Sequence, residues 1–227
     1  MGAVSLKARA GQTIYLPTRG PGNSSLVAPF QTSSSSRLQQ VYAQESFLGI
    51  PPTLAFLIHG VSFEIDESSF GFDEILPEVQ VNLSTTSKSP DGLSTIFSEN
   101  VGADETVVFG RGPLHLRGNL AVGPGFMFDR PFLYDLSAGN LLLDIRNFGP
   151  GNASPLDAFD ARGDSISIVV GDADATSGFA FTRGLATVFW VDIVPIPEPS
   201  TIALIFLGML ALAWRLRRAK KTAYTQG

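Results

Sequence analysis

Val79-Gln-Val-Asn-Leu-Ser84 alternates apolar and polar side chains without a break. A strand points successive side chains to opposite faces, so Val79, Val81 and Leu83 share one face and Gln80, Asn82 and Ser84 the other. One face of such a strand belongs in a core and the other in water. Val61-Ser-Phe-Glu-Ile65 repeats the pattern upstream, and Leu114 and Leu116 alternate with His115 and Arg117 downstream. Further strands are expected at Leu54-Ala-Phe-Leu-Ile58, Thr106-Val-Val-Phe109, Phe126-Met-Phe128, Phe132-Leu-Tyr134, and residues 165–170, 178–182 and 185–194. Leu141-Leu-Leu-Asp-Ile145 is apolar nearly throughout and reads as a central strand.

Turn chemistry separates these runs. Pro90-Asp-Gly92 and Gly110-Arg-Gly-Pro113 are expected turns, and Pro131 confines its join to an edge or a loop. Two stretches have helical spacing instead. Leu38, Val41 and Tyr42 suggest a short helical turn, and Leu93, Ile96 and Phe97 suggest another. Roughly ten short strands with Gly, Pro, Asn and Asp between them read as an all-β class, an antiparallel β-sandwich of jelly-roll-like type. The 17 Phe residues suit one inter-sheet core.

Charge divides the chain into sectors. Every Asp and Glu except Glu198 lies between residues 37 and 194, and the net charge is −5. An acidic body repels phosphate backbones, so nucleic acid is excluded as a partner. There are no cysteines, which removes disulfides, thiolate metal sites and cysteine nucleophiles together. Residues 1–36 are rich in Gly, Pro and Ser and are expected to be a disordered segment. They lack the 7–15-residue apolar run of a secretory leader, so the native start is expected upstream. The sandwich domain is expected at residues 37–194.

The chain then changes character. Val194-Pro-Ile-Pro-Glu-Pro-Ser200 is stiff and extended, because each proline fixes its own φ and restricts the residue before it. Thr201 to Trp214 is an apolar run of 14 residues, expected to form a single hydrophobic helix. At about 1.5 Å per residue it is about 21 Å long, short of the roughly 30 Å of a bilayer core. Arg215-Leu-Arg-Arg-Ala-Lys-Lys221 follows as a basic stop, and residues 222–227 are a tail. The positive-inside rule places this end in the cytoplasm.

Pro197, Glu198 and Pro199, the short apolar helix and Arg215, Arg217 and Arg218 together resemble the PEP-CTERM protein-sorting signal. The resemblance covers residues 195–221. It implies a bacterial protein recognised by a membrane-embedded exosortase, then delivered to the cell surface or into exopolysaccharide. The phrases Val81-Asn-Leu-Ser-Thr-Thr86 and Gly139-Asn-Leu-Leu-Leu-Asp-Ile-Arg146 are similar to bodies of such proteins whose function is unknown.

Few constellations in the body suggest chemistry. Asp172 and Asp174 stand two apart before Gly178, a spacing that calcium loops use, but a third acidic ligand and a terminal bidentate Glu are missing. His115 is expected on the solvated side of a strand and His59 beside a glycine turn. Glu64, Asp66 and Glu67 offer carboxylates of the kind that glycoside hydrolysis pairs. Gly71-Phe-Asp73-Glu74, Asp157 and Asp160 add no pattern of their own, and Asn23, Asn82 and Asn152 begin Asn-x-Ser sequences.

The expectation is a non-enzymatic protein without cofactor or resident metal, membrane-inserted by its C-terminal helix and then sorted to the envelope or surface. Its body would be structural or glycan-interacting. The alternatives are an exported carboxylate-based hydrolase and a permanently anchored periplasmic protein. Two or three carboxylates gathered with aromatics in one concave groove would favour the hydrolase.

Overall fold

A computed structural model describes residues 9–17, 22–47, 51, 53–196 and 209. The strands in chain order are β1 (Arg9–Leu16), β2 (Ser24–Leu26), β3 (Gln31–Thr32), β4 (Ser36–Tyr42), β5 (Leu54–Phe63), β6 (Phe72–Thr86), β7 (Thr106–Gly118) and β8 (Gly125–Tyr134). They continue as β9 (Asn140–Asn147), β10 (Gly151–Asn152), β11 (Leu156–Asp160), β12 (Ile166–Gly171), β13 (Phe179–Phe181), β14 (Arg183–Leu185) and β15 (Thr187–Pro195). The protein is all-β with antiparallel pairing. The chain divides into two units, Met1–Val194 and Pro195–Gly227.

Two sheets enclose the main core. One has the order β1-β15-β5-β8 and the other β13-β12-β4-β9-β6-β7. Val61 and Phe63 face inward from the first; Val79, Val81 and Leu83 face inward from the second, as their alternation predicts. Aromatic edges tie the layers together. Tyr42 of β4 meets Phe189 of β15 at 5.2 Å, and Phe109 of β7 meets Phe126 of β8 at 5.5 Å. β9 lies between β4 and β6, the central position its apolar run predicts.

Four expectations are corrected. Leu38, Val41 and Tyr42 lie on β4, a strand buried along its whole length, and not in a helical turn. Leu38 and Tyr42 enter the inter-sheet core, while Val41 enters a second cluster with Phe97 and Val169 on the other side. A strand buried on both faces loses its period of two, and the residual spacing mimics a helix. Gly110-Arg-Gly-Pro113 does not turn; it continues inside β7, with register shifts against β6 absorbing the irregularity. β7 is the outer strand of its sheet, where a proline's missing N–H is tolerated.

His59 sits within β5 beside a register shift between Ile58 and Gly60, and not at a turn. The first 36 residues are not a disordered segment where they are described. β1 pairs with β15, β2 with β11 and β3 with β10. Leu16, Ala28 and Phe30 are core residues, and Phe30 packs on Phe63 at 5.6 Å. The helix expected at residues 201–214 lies outside the described residues except for Met209, which is helical. Among the described residues no helix is long and apolar enough to cross a membrane.

Buried polar groups on β4 are satisfied by distant partners. Arg37 donates twice to Asp144, and Gln39 donates to Asp144 at 2.8 Å and to the Phe97 carbonyl at 3.2 Å. Asn100 donates to Gln39 at 2.9 Å. Gln40 exchanges hydrogen bonds with the Leu185 backbone, and the Tyr42 hydroxyl donates to Thr187 at 2.8 Å. Burial drives the Tyr42 pKa far above the ordinary phenol value. These pairings explain how Gln, Arg and Asp enter an interior that would otherwise reject them.

Candidate functional site

β15 alternates so that Phe189 and Val191 face the core while Val188, Trp190 and Asp192 face outward. Across the ladder Trp190 opposes Thr13 and Val188 opposes Tyr15, which places Tyr15 and Trp190 on the same outer face. The Trp190 indole then lies over β5 and β8. A Cβ on Gly60 would stand 2.6 Å from its Cε3, and one on Gly125 would stand 2.9 Å from its Cη2. Two glycines on adjacent strands thus leave a bed for one edge of the ring. The indole is half-buried, and room opens beside it.

That room is a groove of about 710 Å³. Tyr15, Val188 and Trp190 line it, together with Leu120 and Val122 from the turn after β7. Asn119 fixes that turn. Its side-chain oxygen accepts from the Ala121 and Val122 amides at 2.8 and 3.0 Å. Glu64, Glu67 and Asp157 also line the groove. A second hollow of about 400 Å³ shares Glu67 and Asp157 and adds Asp66 and Asn23.

The acids are held differently. Asp157 accepts from the Gly22 amide at 2.7 Å and from its neighbour Ala158 at 3.0 Å, so each oxygen already holds a backbone donor. Burial pushes its pKa above the usual carboxylate range; the two amides pull it back, and Asp66 and Glu67 push it up again. Asp66 accepts from the Ser68 amide at 2.9 Å and so folds a local turn. The Glu64 carbonyl accepts from the Asp157 amide at 2.9 Å, which locks the two groove segments together.

The remaining sequence candidates lie elsewhere. The Asp172 carbonyl accepts from the Ala175 amide at 3.1 Å in a turn, and Asp174 lines a different hollow beside Arg37 and Arg146. Among the described residues no group of three His, Asp or Glu stands close enough to hold a metal ion. His115 pairs with Asp73 across β6 and β7, both exposed. His59 meets Asp192 at 3.0 Å on the outer face of the first sheet. Asp160 accepts from Thr182 at 2.8 Å, and Asn82 donates to Glu105 at 2.6 Å. Pro197, Glu198 and Pro199, with Arg215, Arg217 and Arg218, lie outside the described residues.

Sequence reasoning gathered Glu64, Asp66 and Glu67 but missed Tyr15, Trp190 and the Asn119 turn. One signal was present. In Phe189-Trp-Val-Asp192, period two puts Trp190 on the face of Asp192, and a large aromatic there asks for a purpose.

Residues 195–218 match the family model of the PEP-CTERM protein-sorting motif. β15 ends at Pro195, where that match begins. The motif implies export to the cell envelope or surface and recognition by an exosortase-type processing enzyme. No curated protein matches the chain. The crystal structure of the infectious bursal disease virus VP2 subviral particle aligns at 13% identity over 94% of this chain and 50% of that one. Its TM-score is 0.11, so it carries no argument about fold or function.

Proposed function

We propose that this chain is an exported surface protein, sorted by its C-terminal motif, whose β body binds glycan without catalysis. The apolar run at residues 201–214 would hold it in the membrane as a single-pass helix until the exosortase acts. The body would then reach the envelope surface or the exopolysaccharide. The observation that carries the glycan reading is the Trp190 indole, seated against Gly60 and Gly125 and lining an open groove with Tyr15. Sugar rings have an apolar C–H face and a polar rim. A fixed aromatic plane serves the first, and flanking carboxylates and amides serve the second. Glu64, Glu67 and Asp157 gathered with Tyr15 and Trp190 in one groove meet the condition that favours a carboxylate-based hydrolase, which stands as the second reading; the backbone amide on each Asp157 oxygen suits that carboxyl to the role of a fixed acceptor.

Two measurements on cells that process such signals test this. Mass spectrometry of the mature protein should find everything beyond the Pro197-Glu-Pro199 site removed; an intact basic end would mean a permanent anchor. Retention of the mature protein on the cells' own exopolysaccharide should fall with Trp190→Ala and persist with Phe179→Ala, an exposed aromatic outside the groove. Equal retention of both variants would overturn the glycan reading.

A further inference from the structure

The turn that lines the groove with Trp190 narrows the class of sugar. It closes on itself. The Asn119 amide donates to the Val122 carbonyl at 2.8 Å, the Val122 amide donates back to the Asn119 carbonyl at 3.1 Å, and the Asn119 side chain accepts from the Ala121 and Val122 amides. The turn is also held at both flanks. A Cβ on Gly123 would collide with the Phe63 carbonyl oxygen at the end of β5, and one on Gly118 would stand 2.7 Å from the Pro124 nitrogen. What this fixed turn offers the groove is aliphatic carbon: Leu120 and Val122 are 63% and 67% exposed, and both line the hollow.

A hydroxyl brought against that surface gives up water and meets methyl groups, with the Asn119, Ala121 and Val122 amides already spent. A methyl group gives up nothing there and buries apolar area. An ordinary hexose carries a hydroxymethyl group on its ring, and a 6-deoxyhexose carries a methyl in its place. The methyl of an acetamido group comes with a carbonyl oxygen that asks for a donor, and the same spent amides serve it poorly. Thr13 and Ser62, which also line the groove, supply hydroxyls for the ring's own hydroxyl groups. We infer that the groove takes a polysaccharide containing a 6-deoxyhexose, with one ring against Trp190 and its C6 methyl group on Leu120 and Val122. This rests on the glycan-binding reading above and adds the chemistry of the ring.

Competition against retention of the mature protein on exopolysaccharide tests this. The competitors are methyl glycosides in pairs that differ only at C6: rhamnose with mannose, fucose with galactose, and quinovose with glucose, each pair in one configuration. Methyl N-acetylglucosaminide is added as the acetamido comparison. The expected result is that in at least one pair the 6-deoxy sugar releases the protein at a concentration about tenfold or more below that of its 6-hydroxy partner, and below that of the acetamido sugar. L120S/V122S should erase the advantage with its thermal midpoint unchanged, because both side chains are exposed. The sugar comparison on the unaltered chain decides by itself if that variant unfolds. Parity within all three pairs, release by the acetamido sugar at an equal or lower concentration, or an advantage that survives in folded L120S/V122S would each overturn the inference. If no sugar releases the protein while W190A still lowers retention, the 6-deoxy inference falls and the glycan site stands. If W190A leaves retention untouched as well, the underlying reading falls with it.

Discussion

Arg37 and Asp144 form a two-pronged pair inside the body, with Nε at 3.0 Å and Nη2 at 2.5 Å from the two carboxylate oxygens. Their side chains are 8% and 3% exposed. The pair crosses diagonally from β4 to β9, two registers apart on one face of the sheet, since Arg37 opposes Arg146 and Gln39 opposes Asp144. It also anchors Gln39, and through Gln39 the Asn100 turn.

Removing one partner should therefore be severe. Asp144→Ala leaves a buried guanidinium without its counter-charge, at a cost of about 3–5 kcal/mol. Replacing both residues by leucine should cost much less than Asp144→Ala alone, because no orphan charge remains. Urea midpoints of the two variants check this; a double variant as unstable as the single one would show that shape, and not charge pairing, dominates.

The indole bed gives a second prediction. A Cβ on Gly125 would stand 2.4 Å from Ser62 Cβ and 2.9 Å from Trp190 Cη2. Gly125→Ala should cost about 1–3 kcal/mol through forced repacking and should blunt the near-ultraviolet circular dichroism of Trp190. Gly112→Ala is the control. Its Cβ would meet only the Gly110 carbonyl oxygen, at 3.8 Å, and the change should stay within about 0.5 kcal/mol. Trp214→Phe as the background isolates the Trp190 signal, because the chain has 2 tryptophans.

Deleting residues 1–17 removes β1. That strips Leu16 from the core, turns β15 into an edge and takes away the Tyr15 side of the groove. Loss of Leu16 alone should cost about 1.5–3 kcal/mol, and the unpaired ladder adds to it. A thermal scan that places the truncated chain level with the full one would show that β1 contributes nothing to stability.

Acid sensitivity has an assigned source. The Gly11 amide, at 2.7 Å, and the His59 ring, at 3.0 Å, hold the Asp192 carboxyl below its ordinary pKa. The folded state thus binds fewer protons than the unfolded one across the interval between the two values. Its stabilising effect is full above the unfolded value of about 3.9 and is lost as pH falls through the folded one. Denaturation midpoints followed downward through that interval should drop less steeply for Asp192→Asn than for the parent. Asp157 works in the opposite sense, since burial raises its pKa; its share of stability is lost as pH rises from the unfolded value through the folded one.

Much of the fold was legible locally. The alternations at Val61–Ile65 and Val79–Ser84 placed their apolar faces in the core, and the apolar Leu141–Ile145 run took a central place. The local rules failed at β4, where Gln39 and Gln40 are fully buried. Nothing near them in sequence announces that their partners are Asp144, Leu185 and Thr187. They failed again in the first 36 residues. Gly, Pro and Ser there describe a flexible chain, yet Leu16 and Phe30 fill core positions offered by strands far downstream.

Alternation, turn residues and the sectoring of charge by themselves determined an all-β acidic body and a sorting motif after it, because each is a property of neighbours along the chain. Only the tertiary structure decided that the first described strand closes on the last, that Trp190 comes to rest against Gly60 and Gly125, and that acids from two segments share its groove. Those meetings depend on which distant surfaces exclude water together, and that is settled by the whole core at once and not by any window of sequence.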